Sequence, residues 1–161
     1  MNFLQQQILP RLPQLAAKAL GFTPNALLAP VLEQTLGRFF QQELASGELD
    51  FLAERSLHIH VSDLNLQFGV SLLEGRLRIA LPCAAGDASI RASANDFILM
   101  INGRIDPDTL FFQRRLLMSG DTEMALQVKN LLDTIELGER LPKPLLHASS
   151  LLADQLQQMN A

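Results

Sequence analysis

Across 161 residues the chain carries 17 acidic and 13 basic side chains, a formal charge of −4, and 48% of its positions are hydrophobic while only 19% are charged. Average soluble domains have roughly 25% charged residues, so this composition excludes a disordered polyelectrolyte. It also argues against a duplex nucleic-acid binder, whose affinity rests on neutralising phosphates.

The length suits one domain with a single core. Leucine fills 33 positions, nine phenylalanines carry all the aromatic surface, and tryptophan and tyrosine are absent. Apolar contact therefore dominates recognition. The single cysteine, Cys83, can form neither an internal disulfide nor a thiolate cage, which points to a reducing, cytoplasmic compartment. Gln5-Gln6-Gln7, Arg11 and Lys18 interrupt the apolar run that an export signal needs. The 14 uncharged residues from Ala19 to Leu32 contain Pro24 and Pro30 and fall short of the roughly 20 needed to span a bilayer.

In chain order, residues 1–30 hold two charges, Arg11 and Lys18, and four prolines among leucines and alanines. Short amphipathic helices broken by proline fit that stretch. Leu12, Leu15, Ala16, Ala19 and Leu20 make one apolar stripe, with Phe22 beyond Gly21 as an exposed end. The segment either packs on the domain or docks on a membrane, with Arg11 and Lys18 on lipid phosphates. A second helix is expected over Val31–Ala45, with Glu33, Arg38 and Glu43 on its polar side and Gly47 as its terminator.

Strict alternation then predicts strands. Leu57, Ile59 and Val61 alternate with His58 and His60, and Leu64, Leu66, Phe68, Val70 and Leu72 with polar or small residues. Glu74-Gly75 connects to a third strand, Arg76–Leu81, and Ala88, Ile90 and Ala92 mark a fourth. Asn95 or Asp96 is expected to cap a short helix over Phe97–Ile101, and Asp106-Pro107 to start a turn holding Leu110, Phe111 and Phe112. Arg114–Ser119 reads as a fifth strand. Gly120-Asp121 opens a helix with Met124, Val128, Leu131, Leu132 and Ile135 at helical spacing, ending near Gly138, and a C-terminal helix is expected over residues 145–159. The fold class is α+β: a five-stranded, mainly antiparallel sheet covered on one face by helices, with extra N- and C-terminal helices. The divisions are 1–30, 31–138 and 139–161.

The run Asn95-Asp96-Phe97, Gly103, Asp106-Pro107, Leu116-Leu117-Met118-Ser119-Gly120-Asp121, Met124-Ala125 and Asn130-Leu131-Leu132, in this order after a four-stranded meander, resembles the sterol carrier protein type two (SCP2-like) lipid-binding domain family over residues 31–138. The chain departs from it at Gln113-Arg114-Arg115, where the family usually has a glycine, so a different local backbone is expected there. Within that family, the proline-broken N-terminus and short C-terminal helix resemble the bacterial accessory factors of ubiquinone biosynthesis. The resemblance implies a non-catalytic protein without cofactor that presents prenylated quinone intermediates to hydroxylation proteins of the UbiU and UbiV kind, in the oxygen-independent route, with peripheral contact at the inner membrane. A homodimer stays open, as do a general phospholipid or fatty-acyl carrier, a small enzyme with an apolar pocket, and a pure scaffold.

Burying ten carbons of a lipid tail is worth on the order of 8 kcal/mol before association costs, so a carrier needs a second interaction to draw its cargo from a membrane. The tail contacts expected are Phe68, Val70, Ile79, Ile90, Phe97, Ile101, Phe111, Phe112, Met118, Met124, Val128 and Leu132; each would otherwise fill an ordinary core. Arg104, Arg114 and Arg115 are placed at the tunnel mouth, joining Arg11, Lys18 and Phe22 as headgroup or membrane contacts. Arg76, Arg78 and Arg91 could form a basic patch across neighbouring strands. No metal site is expected, since two histidines with Asp63 are thin as a ligand set. Cys83 and Ser119 lack the motifs of a nucleophile, and phosphate-binding glycine loops are absent.

Overall fold

The computed structural model describes Lys18, Ala19, residues 21–135, Arg140, His147, Leu151, Asp154, Gln157 and Gln158. The stripe from Leu12 to Ala16, Leu20 and most of the C-terminal helix lie outside the described residues. Helix α1 spans Asn25–Phe39 and α2 Gln41–Ser46, followed by a 3-10 turn at Asp50–Leu52. Strands β1 (Leu57–Val61), β2 (Leu66–Leu73), β3 (Arg76–Ala80) and β4 (Ala88–Ala92) precede α3 (Ala94–Ile101) and α4 (Pro107–Phe112). Strand β5 (Leu117–Gly120) and α5 (Thr122–Thr134) complete the described elements.

Local chemistry sets most boundaries. Glu74 and Gly75 both take positive φ, 50° and 73°, as a two-residue hairpin with right-handed strand twist requires. Gly47, at φ 80°, ends α2. Asp106 caps α4 by accepting from the Thr109 N–H at 2.8 Å, and Asp121 caps α5 through the Met124 N–H at 2.9 Å. Three expectations are corrected. Helix α3 begins at Ala94 because Ser93, not Asn95 or Asp96, accepts from the Asp96 N–H at 3.1 Å. The helix expected from Val31 starts at Asn25 and runs through Pro30; the missing proline N–H orphans only the carbonyl of Ala26, an exposed residue that water can satisfy. Helix α5 stops at Thr134, where Ile135 turns extended and buries its side chain.

The sheet order is β3-β2-β1-β4-β5. All neighbours are antiparallel except β1 and β4, so the expected four-stranded meander is corrected: β4 crosses back and pairs parallel with β1. The crossing is fastened at one corner. Ser56 exchanges bonds with Asp87, its N–H donating to Asp87 Oδ2 at 2.7 Å while its carbonyl accepts from the Asp87 N–H at 2.8 Å. A Cβ on Gly86 would come within 2.7 Å of the Ser56 carbonyl, and one on Gly120 within 2.4 Å of the Asp87 carbonyl. Glycine is what lets these backbones close.

Register places Leu57, Ile59, Phe68, Val70, Leu77, Ile79, Ala88, Ile90 and Met118 on one face. Met100 of α3, Leu110 of α4 and Met124, Val128 and Leu131 of α5 close over it; Leu110 and Met124 are fully buried. The opposite face is less solvated than alternation suggests. His58 is buried there, its Nδ1 3.1 Å from Ser89 Oγ and its Nε2 3.1 Å from Gln67 Oε1. Asp63, weighed as a metal ligand beside it, accepts instead from the Ala94 N–H at 2.7 Å.

Candidate lipid-binding clefts along the first helix

Helix α1 lies against the edge strand β3 and, unlike α5, buries no residue completely. Ala29, Leu32, Leu36 and Phe39 pack half-buried on the core, while Leu27 and Val31, one turn apart, are exposed. Its polar anchor is Glu33, whose Oε1 accepts from the Ile79 N–H at 3.0 Å and whose Oε2 lies 3.8 Å from Arg78. An outward N–H of an edge strand is thereby satisfied by a side chain, which protects that edge from pairing with another chain. At the other end Arg140 donates to the Phe39 carbonyl at 3.1 Å and to Glu43 Oε1 and Oε2 at 2.6 and 2.5 Å. Glu43, expected on a solvated helix face, is buried by this clamp. The Arg140 hydrogen bonds hold its carboxyl below the ordinary 4.5 against an opposing desolvation.

Two open clefts flank α1. The first, about 610 Å3, sits at its N-terminal end between Lys18, Leu28, the β1–β2 turn (Leu64, Asn65), the start of β2 (Leu66, Gln67) and the β3–β4 connection (Leu81, Pro82, Cys83). Ligand pockets run roughly 300–1,000 Å3 with apolar walls and few polar groups. Leu66 and Leu81 also pack against the core, so the cleft floor is continuous with the apolar interior. Its polar groups are a lysine, amides, a threonine and the Cys83 thiol, which donates to the Ala85 carbonyl at 3.1 Å. No carboxylate or imidazole stands among the described lining residues. The second, about 600 Å3, lies between α1 and β3 and brings Arg38, Arg76 and Arg78 together with Glu33, Leu44 and Leu77.

Of the twelve tail contacts expected from sequence, Phe68, Val70, Ile79, Ile90, Met124 and Val128 are buried in the core, and Phe97, Ile101, Met118 and Leu132 pack half-buried against it. Phe111 and Phe112 are exposed. None of the twelve lines either cleft. Among the expected headgroup contacts, Arg11 lies outside the described residues, Lys18 lines the first cleft, and Phe22 is exposed nearby. Arg104 pairs with Asp154 at 2.5 Å and Arg115 pairs with Asp96.

Arg114 takes φ 58°. Its N–H donates to the Phe111 carbonyl at 3.0 Å and the Arg115 N–H to the Leu110 carbonyl at 2.9 Å, the Schellman closure in which glycine usually occupies the left-handed position. The departure at Gln113-Arg114-Arg115 thus keeps the left-handed backbone and puts an arginine on it. Because Leu110 also accepts from the Leu116 N–H, residues 114–116 are withdrawn from the ladder and β5 begins only at Leu117.

The basic patch of Arg76, Arg78 and Arg91 is corrected. The crossover puts β4 three strands from β3, about 14 Å at roughly 4.8 Å per spacing. Arg38 is the residue that joins Arg76 and Arg78 instead. Its polar-face position was readable in the sequence, but its partner strand was not. Leu64, Leu66 and Leu81 of the first cleft read as strand positions and Leu28 precedes the helix expected from Val31; periodicity does not say that the four meet around one cleft. Among the described residues, no group of three metal-ligating side chains forms, and no helix is long and apolar enough to cross a membrane.

The chain belongs to the SCP-2 sterol transfer family, whose sequence profile matches residues 32–133. It is 46% identical over 154 residues to the ubiquinone biosynthesis accessory factor UbiT of Escherichia coli strain K12, covering 96% of this chain and 87% of that protein. The same identity and coverage hold for the UbiT of Escherichia coli O157:H7. Among solved structures it resembles the ubiquinone synthesis protein UbiJ-SCP2, with a TM-score of 0.53, 18% identity, and coverage of 67% of this chain and 95% of that one. That last likeness concerns the fold alone.

Proposed function

We propose that this protein is a non-catalytic lipid-binding accessory factor of ubiquinone biosynthesis. In this reading the tail of a prenylated quinone intermediate lies in the cleft at the N-terminal end of α1, and its head is presented to hydroxylation proteins of the UbiU and UbiV kind in the oxygen-independent route. The observation that carries the reading is the first cleft itself: a space of about 610 Å3 lined by four leucines, three amides and Lys18, with a floor continuous with the core. The accessory-factor name of the 46%-identical relative supports the pathway. Phe22, Leu27 and Val31, exposed beside that cleft, with Lys18 and Arg11, make peripheral contact with the inner membrane, so the tail passes between bilayer and cleft without crossing water. Because α1 runs unbroken from Asn25 through Pro30, the docking segment of residues 1–30 joins the carrier core within one helix, and residues 139–161 are its C-terminal extension. The core residues first expected to touch the tail lie in the interior with which the cleft floor is continuous.

A general phospholipid carrier is a second reading, favoured by the three arginines of the second cleft, which suit a phosphate-bearing head. Mass spectrometry of lipids extracted from the purified protein separates the two. Prenylated intermediates support the first reading and phospholipids alone the second; recovery of no lipid, with no uptake of a fluorescent prenyl probe, rejects both. Quinone profiling of a deletion strain tests the route: ubiquinone is expected to fall without oxygen and to persist with it, and normal anaerobic ubiquinone rejects the pathway.

A further inference from the structure

We infer that the turn joining α4 to β5 is a docking site for an anionic lipid surface, separate from the N-terminal segment and from the clefts. Phe112 is 80% exposed, Phe111 42% and Leu117 47%. The two rings stack edge to face with centroids 5.9 Å apart. Such exposure means that the aromatics project from the surface instead of lining a concavity, the shape that enters a bilayer interface and not the shape that receives a partner's side chain.

Charge selects the occupant. Arg114 makes no side-chain hydrogen bond or ion pair among the described residues, and neither does Arg91, which stands opposite Leu117 across the β4–β5 ladder. Asp96 pairs with Arg115 and Asp108 with Lys129 at 2.7 Å, while Asp106 accepts from the Thr109 N–H and hydroxyl and keeps its charge at the opposite end of α4 from Arg114. An unpaired guanidinium, Arg114, therefore follows the exposed Phe111 and Phe112 at the end of α4, and a second, Arg91, stands beside the exposed Leu117 where β5 begins, on a chain whose net charge is −4. An acidic surface of phosphates is attracted to these guanidinium groups although the chain as a whole is negative.

The backbone adds an independent observation. Arg114 holds a left-handed conformation, φ 58°, that glycine would adopt without strain. The turn lies at the β5 edge, while α1 and the clefts lie at the β3 edge.

The test is flotation of the full chain with vesicles of phosphatidylcholine alone and with added phosphatidylglycerol, comparing wild type, Phe112→Ala and Arg114→Gly. Wild type is expected to prefer the anionic vesicles, Arg114→Gly to bind them about fivefold more weakly and Phe112→Ala about tenfold more weakly. Arg114→Gly should keep or raise the melting temperature, since it relieves the backbone; that separates lost docking from lost folding. Undiminished vesicle binding by both variants overturns the proposal. So does a light-scattering shift from dimer to monomer in Phe112→Ala with vesicle binding unchanged, which would assign the surface to a second copy. Uptake of a prenyl probe in vesicle-free solution should be unchanged in both variants, so the failure of this docking site and the failure of the cleft reading show up in different measurements.

Discussion

Helices α1 and α5 are both amphipathic and both lie against the sheet, yet they are seated differently. In α5, Met124 is fully buried and Val128 and Leu131 nearly so, and the helix starts on a side-chain cap and forms a fixed wall. In α1 no residue is fully buried, the start at Pro24 has no side-chain cap, and open clefts lie on both sides. It is held by the half-buried Ala29, Leu32, Leu36 and Phe39, by Glu33 in its middle and by Arg140 at its end. Local stability follows buried apolar contact. In the proposed reading the hydrocarbon enters at the sheet edge under α1, rather than at the closed layer under α5, because the core need not be dismantled there.

The largest effect should come from the clamp that holds the α1–α2 junction. Arg140→Ala leaves the buried Glu43 carboxylate without its cation, which costs about 3–5 kcal/mol, read as a lower urea midpoint with unchanged slope; a loss under 1 kcal/mol would make the pair superficial. On the α5 side, Met124→Ala in a fully buried site should cost about 2–5 kcal/mol. Leu36→Ala in half-buried α1 should cost roughly 1 kcal/mol. Equal losses in those two variants would erase the contrast between the helices.

A smaller effect is acid sensitivity. Glu43 has a folded pKa below its ordinary 4.5, so its contribution is present above that value and fades as pH falls through the folded one. The difference in melting temperature between wild type and Arg140→Ala should therefore shrink below pH 4.5; a constant difference would assign the role of Arg140 to packing. The smallest stability change should accompany Ala84→Trp, at an exposed position on the wall of the first cleft. It fills the first cleft and is expected to abolish prenyl-probe uptake while the melting temperature moves little.

The difference between these regions also explains what could be read from the chain. Alternation along Leu57–Val61 and Leu66–Leu72 identified strands and their buried face, and turn chemistry at Glu74-Gly75 and Asp106-Pro107 placed two boundaries, because those signals are local. Alternation says which face a residue takes but not which strand lies beside it, so β4 was assigned to a meander when its partner is β1. Glu43 and Arg140 are 97 residues apart, and neither announces the other. The core residues named as tail contacts were recognised as apolar and inward, which is what periodicity reports. A cleft built from a helix end, a hairpin turn and a connection has no period, and only Lys18 among its walls was anticipated.

The location of the cargo is the central claim, and photo-crosslinking tests it most directly. A prenyl or acyl chain carrying a terminal diazirine is bound to the purified protein, irradiated, and the labelled peptides are sequenced. Labels are predicted on residues 64–67 and 81–84, with Leu28 of α1 opposite them. Labels confined to residues 124–132 of α5, with the cleft unmarked, would contradict the account.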